Sequence, residues 1–380
     1  MLTARKLLQR PLFKAKKKSG EAKVTFTFDA SSMAGKSTVV FEDLYYGDLL
    51  LTTHADLEDQ DQTIHFPEIG TTATNDKTKN HTALAEKEVT LTDVIAYKGL
   101  VPGTTYTVTG TLMDKETRKA VIVDGDKIMA ETEFIPETAE GSVELHFTFD
   151  GTALAGKTVV AFESVKEEKN EIAVHADIED VNQTIYFPEI HTSAKDKADQ
   201  DKEVEEGSEV TIIDTVSYSN LTVGETYHVT GTLMDKETGR AIQKDGKDVT
   251  AEAEFTAEKA EGTVDVEFTF NTTDLGGHSV VVFEEMTDVK TGAVIAEHKD
   301  LEDKDQTITV KQKPETPEQP KTEKPTTPPN ESPKGTTVTS DSPKTGDDSN
   351  MILWAVIAGG ALLAGAGLTG SLFRRRKNEK

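Results

Sequence analysis

Shifted by 121 residues, the chain aligns with itself, and no other feature restricts its fold as much. "STVVFED", "KTVVAFES" and "HSVVVFEE" recur in one frame and place Glu42, Glu163 and Glu284 at that spacing. "FKAKKKSGEAKVTFTFD" at Phe13 corresponds to "FIPETAEGSVELHFTFD" at Phe134 and "FTAEKAEGTVDVEFTFN" at Phe255. A period this long signals tandem domains rather than a solenoid of short repeats. Two units are complete, 67–187 and 188–310. The first, 13–66, begins in mid-unit, after an unassigned basic segment at 1–12. The third has two extra residues in "TDVKTGAV", read as a longer hairpin loop.

Within each unit apolar and polar residues alternate, as in "VELHFTF" and "VTLTDVIAY", with turns such as "DKETG" and "VPGTTY" between them. That period of two gives half-buried strands. Several short strands in about 115 residues, with no long helical period, predict an all-β chain of tandem immunoglobulin-like antiparallel β-sandwiches.

Three segments carry residue types that a solvated loop has no need to keep in frame. They are "HADLEDQDQTI" from His54, "HADIEDVNQTI" from His175 and "HKDLEDKDQTI" from His298. In an extended strand Asp180 points to the face opposite His175 and Gln183, so a turn through "DIEDVN" is needed to bring the three together. The spacing resembles a calcium loop only loosely, lacking its glycine and its distal glutamate, and calcium binding stands as an alternative. In "VVAFES", Val159 to Phe162 is apolar at both parities, so the strand is buried on both faces and Glu163 continues it. A carboxyl placed there is desolvated and retains its proton.

Beyond the last unit the composition changes. Residues 311–345 hold eight of the thirteen prolines, and the spacer (311–341) reads as extended and polyproline-like, reaching on the order of 100 Å at about 3.1 Å per residue. An uncharged stretch, 350–373, is long enough to span a bilayer, and the basic tail 374–380 follows it, predicting one C-terminal transmembrane helix with a cytoplasmic end. The basic N-terminus has no apolar run of export-signal length, so an upstream continuation is expected. A net charge of −26 argues against nucleic acid as a partner, and the absence of cysteine excludes disulfides as the source of stability outside the cell.

Together, "VVAFE", "HADIEDVNQT" and the threonines of "FPEIGTTAT" and "FPEIHTSAK" resemble the VaFE-type repeats of Gram-positive surface proteins, whose domains form Thr–Gln ester bonds. The resemblance covers about residues 13–310. It implies ester pairs Thr71–Gln183 and Thr192–Gln306, assisted by Glu163, His175 and Asp180 and by Glu284, His298 and Asp303. A protonated Glu163, sharing its proton with Asp180, is expected to polarise the Gln183 carbonyl while Thr71 attacks and ammonia leaves. The first unit has Glu42, His54, Asp59 and Gln62 but no threonine strand, an incomplete site. No cofactor or metal is implied.

"SPKTG", Ser342 to Gly346, precedes the apolar span and resembles the LPxTG-like signal that sortases read, implying cleavage between Thr345 and Gly346 and transfer to a peptidoglycan precursor. The expected protein is a cell-wall-anchored stalk or adhesin, held in the membrane before sorting and presenting an unidentified host or matrix ligand site. A pilus-type subunit and a surface enzyme are the rivals. An isopeptide-linked domain is the chemical rival, because its bond survives strong base.

Overall fold

The computed structural model describes residues 8–313, and every regular element in it is a strand or a single turn of 3-10 helix. The expectations for most of the spacer, for Thr345 and Gly346, and for the membrane span and its basic tail lie outside those residues. Among the described residues no helix is long and apolar enough to cross a membrane.

The 67–187 unit is a sandwich of two sheets. One sheet orders Glu140–Phe149, Val89–Lys98 and Glu68–Asn75; the other is built on Met129–Phe134, Tyr106–Asp114, Thr158–Glu167 and Asn170–His175. Every pairing along these two sheet orders is antiparallel. The alternation expected of "VTLTDVIAY" is realised: Val89, Leu91, Ile95 and Tyr97 are buried, facing Val108, Leu112, Val159 and Val165 across the interior. Thr158–Glu167 is the central strand, and Val159, Val160 and Ala161 are buried at both parities, as a strand with neighbours on each side requires. Opposite Glu163 the neighbouring strand carries Gly110. A Cβ there would meet Leu145 and Phe147 at 2.5 Å, so the glycine lets both side chains close over the strand.

The 188–310 unit repeats this plan, with Glu189–Asp196, Glu209–Ser219 and Gly262–Asn271 opposed to a sheet centred on Ser279–Asp288. The two extra residues fall between Ser279–Asp288 and Val294–His298, the lengthened hairpin expected from the sequence. Asn220 adjoins the preceding unit: its side-chain amide donates to Lys157 O (2.6 Å) and Phe187 O (3.1 Å), and its Oδ1 accepts from Thr158 Oγ1 (2.9 Å). Among the described residues the first unit forms two antiparallel pairs, Lys36–Val39 with Thr63–Phe66 and, between them in sequence, the hairpin Glu42–Tyr46 with Leu49–His54.

The first and last strands of a complete unit are not paired in one sheet. Glu68–Asn75 edges the smaller sheet, whereas Thr184–Tyr186 pairs with Thr158–Glu167 in the larger one. The two strands therefore meet through side chains that point inward from opposite layers.

Candidate functional site

The inward parity of Glu68–Asn75 carries Ile69, Thr71 and Ala73, all buried. Beside it, Val89–Lys98 sends in Val89, Leu91, Asp93 and Ile95, so an aspartate occupies a position that the pattern reserves for an apolar residue. From the opposite sheet comes Glu163, 2% exposed, with Asp93 at 0%. Gln183, also at 0%, ends the 3-10 turn Val181–Gln183 that leads into the last strand. Four polar side chains from two sheets and a turn thus share one dry pocket.

Their hydrogen bonds assign directions. Thr71 Oγ1 donates to Glu163 Oε2 at 3.0 Å, and Gln183 Nε2 donates to Asp93 Oδ1 at 3.2 Å. The remaining oxygens of the two carboxyls, Glu163 Oε1 and Asp93 Oδ2, have no partner as ionised groups, nor has Gln183 Oε1. A proton held between Glu163 and Asp93 satisfies both carboxyls. Burial, then the adjacent Asp93 charge, pushes the Glu163 carboxyl up from 4.5 to about 10. Burial also raises Asp93, against the hydrogen bonds it takes from Glu163 and Gln183. The two carboxyls titrate as a unit, and Glu163 is the one held furthest from ionisation.

Asp180 does not share that proton. Its Oδ2 lies 2.7 Å from His175 Nε2, its Oδ1 caps the turn by accepting from Asn182 N at 2.8 Å, and its carbonyl accepts from Thr184 Oγ1 at 2.7 Å. His175 stands directly across from Glu163 on the neighbouring strand. The "DIEDVN" turn therefore fixes the direction of Gln183, while Asp93, from another part of the chain, is the partner of Glu163. An acid at core parity inside "VTLTDVIAY", and again in "VTIIDTVSY", is the signal that identifies Asp93 and Asp214 in the sequence.

The 188–310 unit builds the same pocket. Glu284, Gln306 and Asp214 are fully buried and Thr192 nearly so. Thr192 Oγ1 donates to Glu284 Oε2 at 3.3 Å; Gln306 Nε2 donates to Glu284 Oε2 at 2.5 Å and is hydrogen-bonded to Thr192 Oγ1 as well. Burial and the Asp214 charge push Glu284 up to about 10, and burial raises Asp214. His298 Nε2 lies 2.8 Å from Asp303 Oδ2, and the Asp305 amide donates to Asp303 Oδ1 at 2.7 Å. Burial opposes ionisation of Asp303, but the Asp305 amide and His298 outweigh it and hold the carboxyl below its usual range.

In the first unit His54 Nε2 and Asp59 Oδ2 keep their 2.7 Å contact, and Glu42 pairs across from His54. Glu42 and Gln62 are only half-buried, and His54 is exposed. Among the described residues no strand of this unit supplies a counterpart of Thr71 or Asp93.

Two family models match the chain. The family described as "T-Q ester bond containing domain" matches residues 3–66, 67–187 and 188–310, and an "LPXTG cell wall anchor motif" matches 343–380. No curated protein matches the chain. Among solved structures, an adhesin from Mobiluncus mulieris containing intramolecular disulfide, isopeptide and ester bond cross-links is similar at 14% identity, TM-score 0.28, over 59% of this chain and 82% of that one. The C-terminal domain of the Streptococcus agalactiae AgI/II polypeptide BspA is similar at 9% identity, TM-score 0.30, over 61% of this chain and all of that one.

Proposed function

Since the chain belongs to the T-Q ester bond domain family and carries a cell wall anchor motif, it is a cell-wall-attached surface protein, and we propose that each complete unit closes its own ester, Thr71–Gln183 and Thr192–Gln306. The observation that supports this reading is the chain of hydrogen bonds from Thr71 through Glu163 and Asp93 to the Gln183 amide.

Thr71 Oγ attacks the Gln183 side-chain carbonyl carbon. Its proton passes to Glu163 Oε2 as the proton on the other Glu163 oxygen moves to Asp93, and Asp93 gives it up to the Gln183 nitrogen. The C–N bond breaks, one ammonia departs and one ester C–O bond forms. The pair keeps a single negative charge throughout, so the dry pocket never holds an extra ion. His175, fixed by Asp180, stands across from Glu163 beside the pair. The reaction runs once per domain, so it is self-modification without turnover.

The bond places the intervening residues off the load path. Tension entering near Pro67 reaches Thr71, crosses the ester to Gln183 and leaves through Pro188 into the next unit. We propose that the protein serves as a stalk built for adhesion under force. Before sorting, its basic C-terminal tail stays on the cytoplasmic side, and sortase then joins Thr345 to the wall precursor.

Alkaline hydroxylamine tests the chemistry. It should return both domains to the open form and leave hydroxamates at Gln183 and Gln306, located by peptide mass mapping. Cross-links that withstand this treatment would indicate isopeptide bonds instead.

A further inference from the structure

The two complete units differ at several positions beside the pocket, and at one of them the second unit carries a bridging cation. His81 in the 67–187 unit corresponds to Lys202 in the 188–310 unit, as the backbone confirms: Tyr186 N donates to His81 O and Thr309 N to Lys202 O, both at 2.8 Å. Lys202 Nζ donates to Ala194 O (3.1 Å) and to Asp305 O (2.5 Å). Ala194 lies two residues beyond Thr192, and Asp305 immediately precedes Gln306. Asp305 O also accepts from Ala194 N at 2.9 Å. One ammonium thus ties the threonine strand to the glutamine turn. His81 makes no equivalent bridge, and its Nδ1 is buried without a partner. The reacting side chains differ in step: Gln306 Nε2 bonds to Thr192 Oγ1, whereas Gln183 Nε2 is turned to Asp93.

We propose that Lys202 is a positioning residue for the Thr192–Gln306 ester, clipping the Asp305–Gln306 turn onto the Thr192–Ala194 strand and setting the charge beside the Asp214–Glu284 pair. The proposal rests on the reading that Thr192 and Gln306 react.

Burial holds the Lys202 ammonium below the usual lysine range, with Asp305, Asp303 and Asp214 attracting it and Lys195 repelling it. Asp214 in turn faces Lys202, His298 and Asp265. A cation here favours the ionised form of the carboxyl pair. Removing it raises the pair's proton affinity and moves the whole pH–rate profile to higher pH.

The test follows newly synthesised full-length chain, quenched in acid denaturant at intervals, with each ester scored by peptide mass. Lys202→Met should slow closure of the Thr192–Gln306 ester by about tenfold or more and shift its profile towards alkaline pH. Lys202→Arg, which keeps donor and charge, should restore both. Closure of Thr71–Gln183 in the same molecules should stay unchanged. Amide exchange at Ile308 and Val310 checks that the unit still folds; if Lys202→Met loses that protection, Lys202→Gln takes its place with the same expectation. Normal closure in the uncharged variant, or slowing with no profile shift and no rescue by arginine, would overturn the proposal. A wild-type chain in which neither unit loses ammonia would overturn the ester reading, and this proposal with it.

Discussion

Glu163→Gln should leave the 67–187 unit folded and open, with Thr71 and Gln183 unlinked, while the 188–310 unit closes normally. Glutamine keeps the size and shape of the buried side chain, and it still accepts the hydrogen bond from Thr71. It cannot take up the threonine proton and pass another to Asp93. General acid–base assistance contributes about 10²–10⁴ in rate, so closure should slow by at least about a hundredfold. Asp93→Asn interrupts the same relay at its other end and should slow closure to a similar degree. The measurement is the number of ammonia molecules lost per chain, one in each variant against two in the wild type. A Glu163→Gln chain that closes at the normal rate would remove Glu163 from the chemistry.

Thr71→Val should cost the 67–187 unit about 4–5 kcal/mol of stability, taking the loop-closure entropy of a disulfide over a similar length as the guide. Valine preserves the shape of threonine and removes the nucleophile, so the comparison isolates the bond. A pH dependence accompanies the loss. The folded open unit holds Glu163 far above its ordinary 4.5, at about 10. A raised carboxyl contributes stability that is complete below the unfolded value and lost as pH rises through the folded one. Losing the Thr71 hydrogen bond, which lowers that carboxyl, widens the window. Urea unfolding of Thr71→Val should therefore show a lower midpoint at pH 9 than at pH 5. A midpoint equal to that of the wild type would mean that no cross-link had formed in it.

Much of the architecture was legible in the sequence because burial in a sandwich imposes a period of two. "VTLTDVIAY" and "VELHFTF" read directly as strands of opposed sheets, and "VVAF", apolar at both parities, marks the central strand. The turn bringing His175 and Asp180 together was legible too, since a straight strand puts them on opposite faces. The partner of Glu163 was not. Local spacing placed Asp180 near it, but sheet packing brings in Asp93 from a strand about 70 residues earlier in the chain. The clue was an acid at core parity, and its partner becomes visible only once the two layers are stacked. Nor did the pattern show that the threonine strand and the last strand belong to different sheets, because alternation fixes the face of a residue and not its neighbours. Lys202 shows the same limit. Nothing in "DQDKEVEEG" distinguishes it from a solvated lysine until Ala194 O and Asp305 O are seen beside its ammonium.

The intact mass of the purified, folded chain tests the central claim most directly. Each ester forms with loss of one ammonia, and one ester is assigned to each of the units 67–187 and 188–310. The account predicts a mass below that of the unmodified sequence by two ammonia molecules, with the links mapped to Thr71–Gln183 and Thr192–Gln306. A folded chain at its full unmodified mass would contradict it.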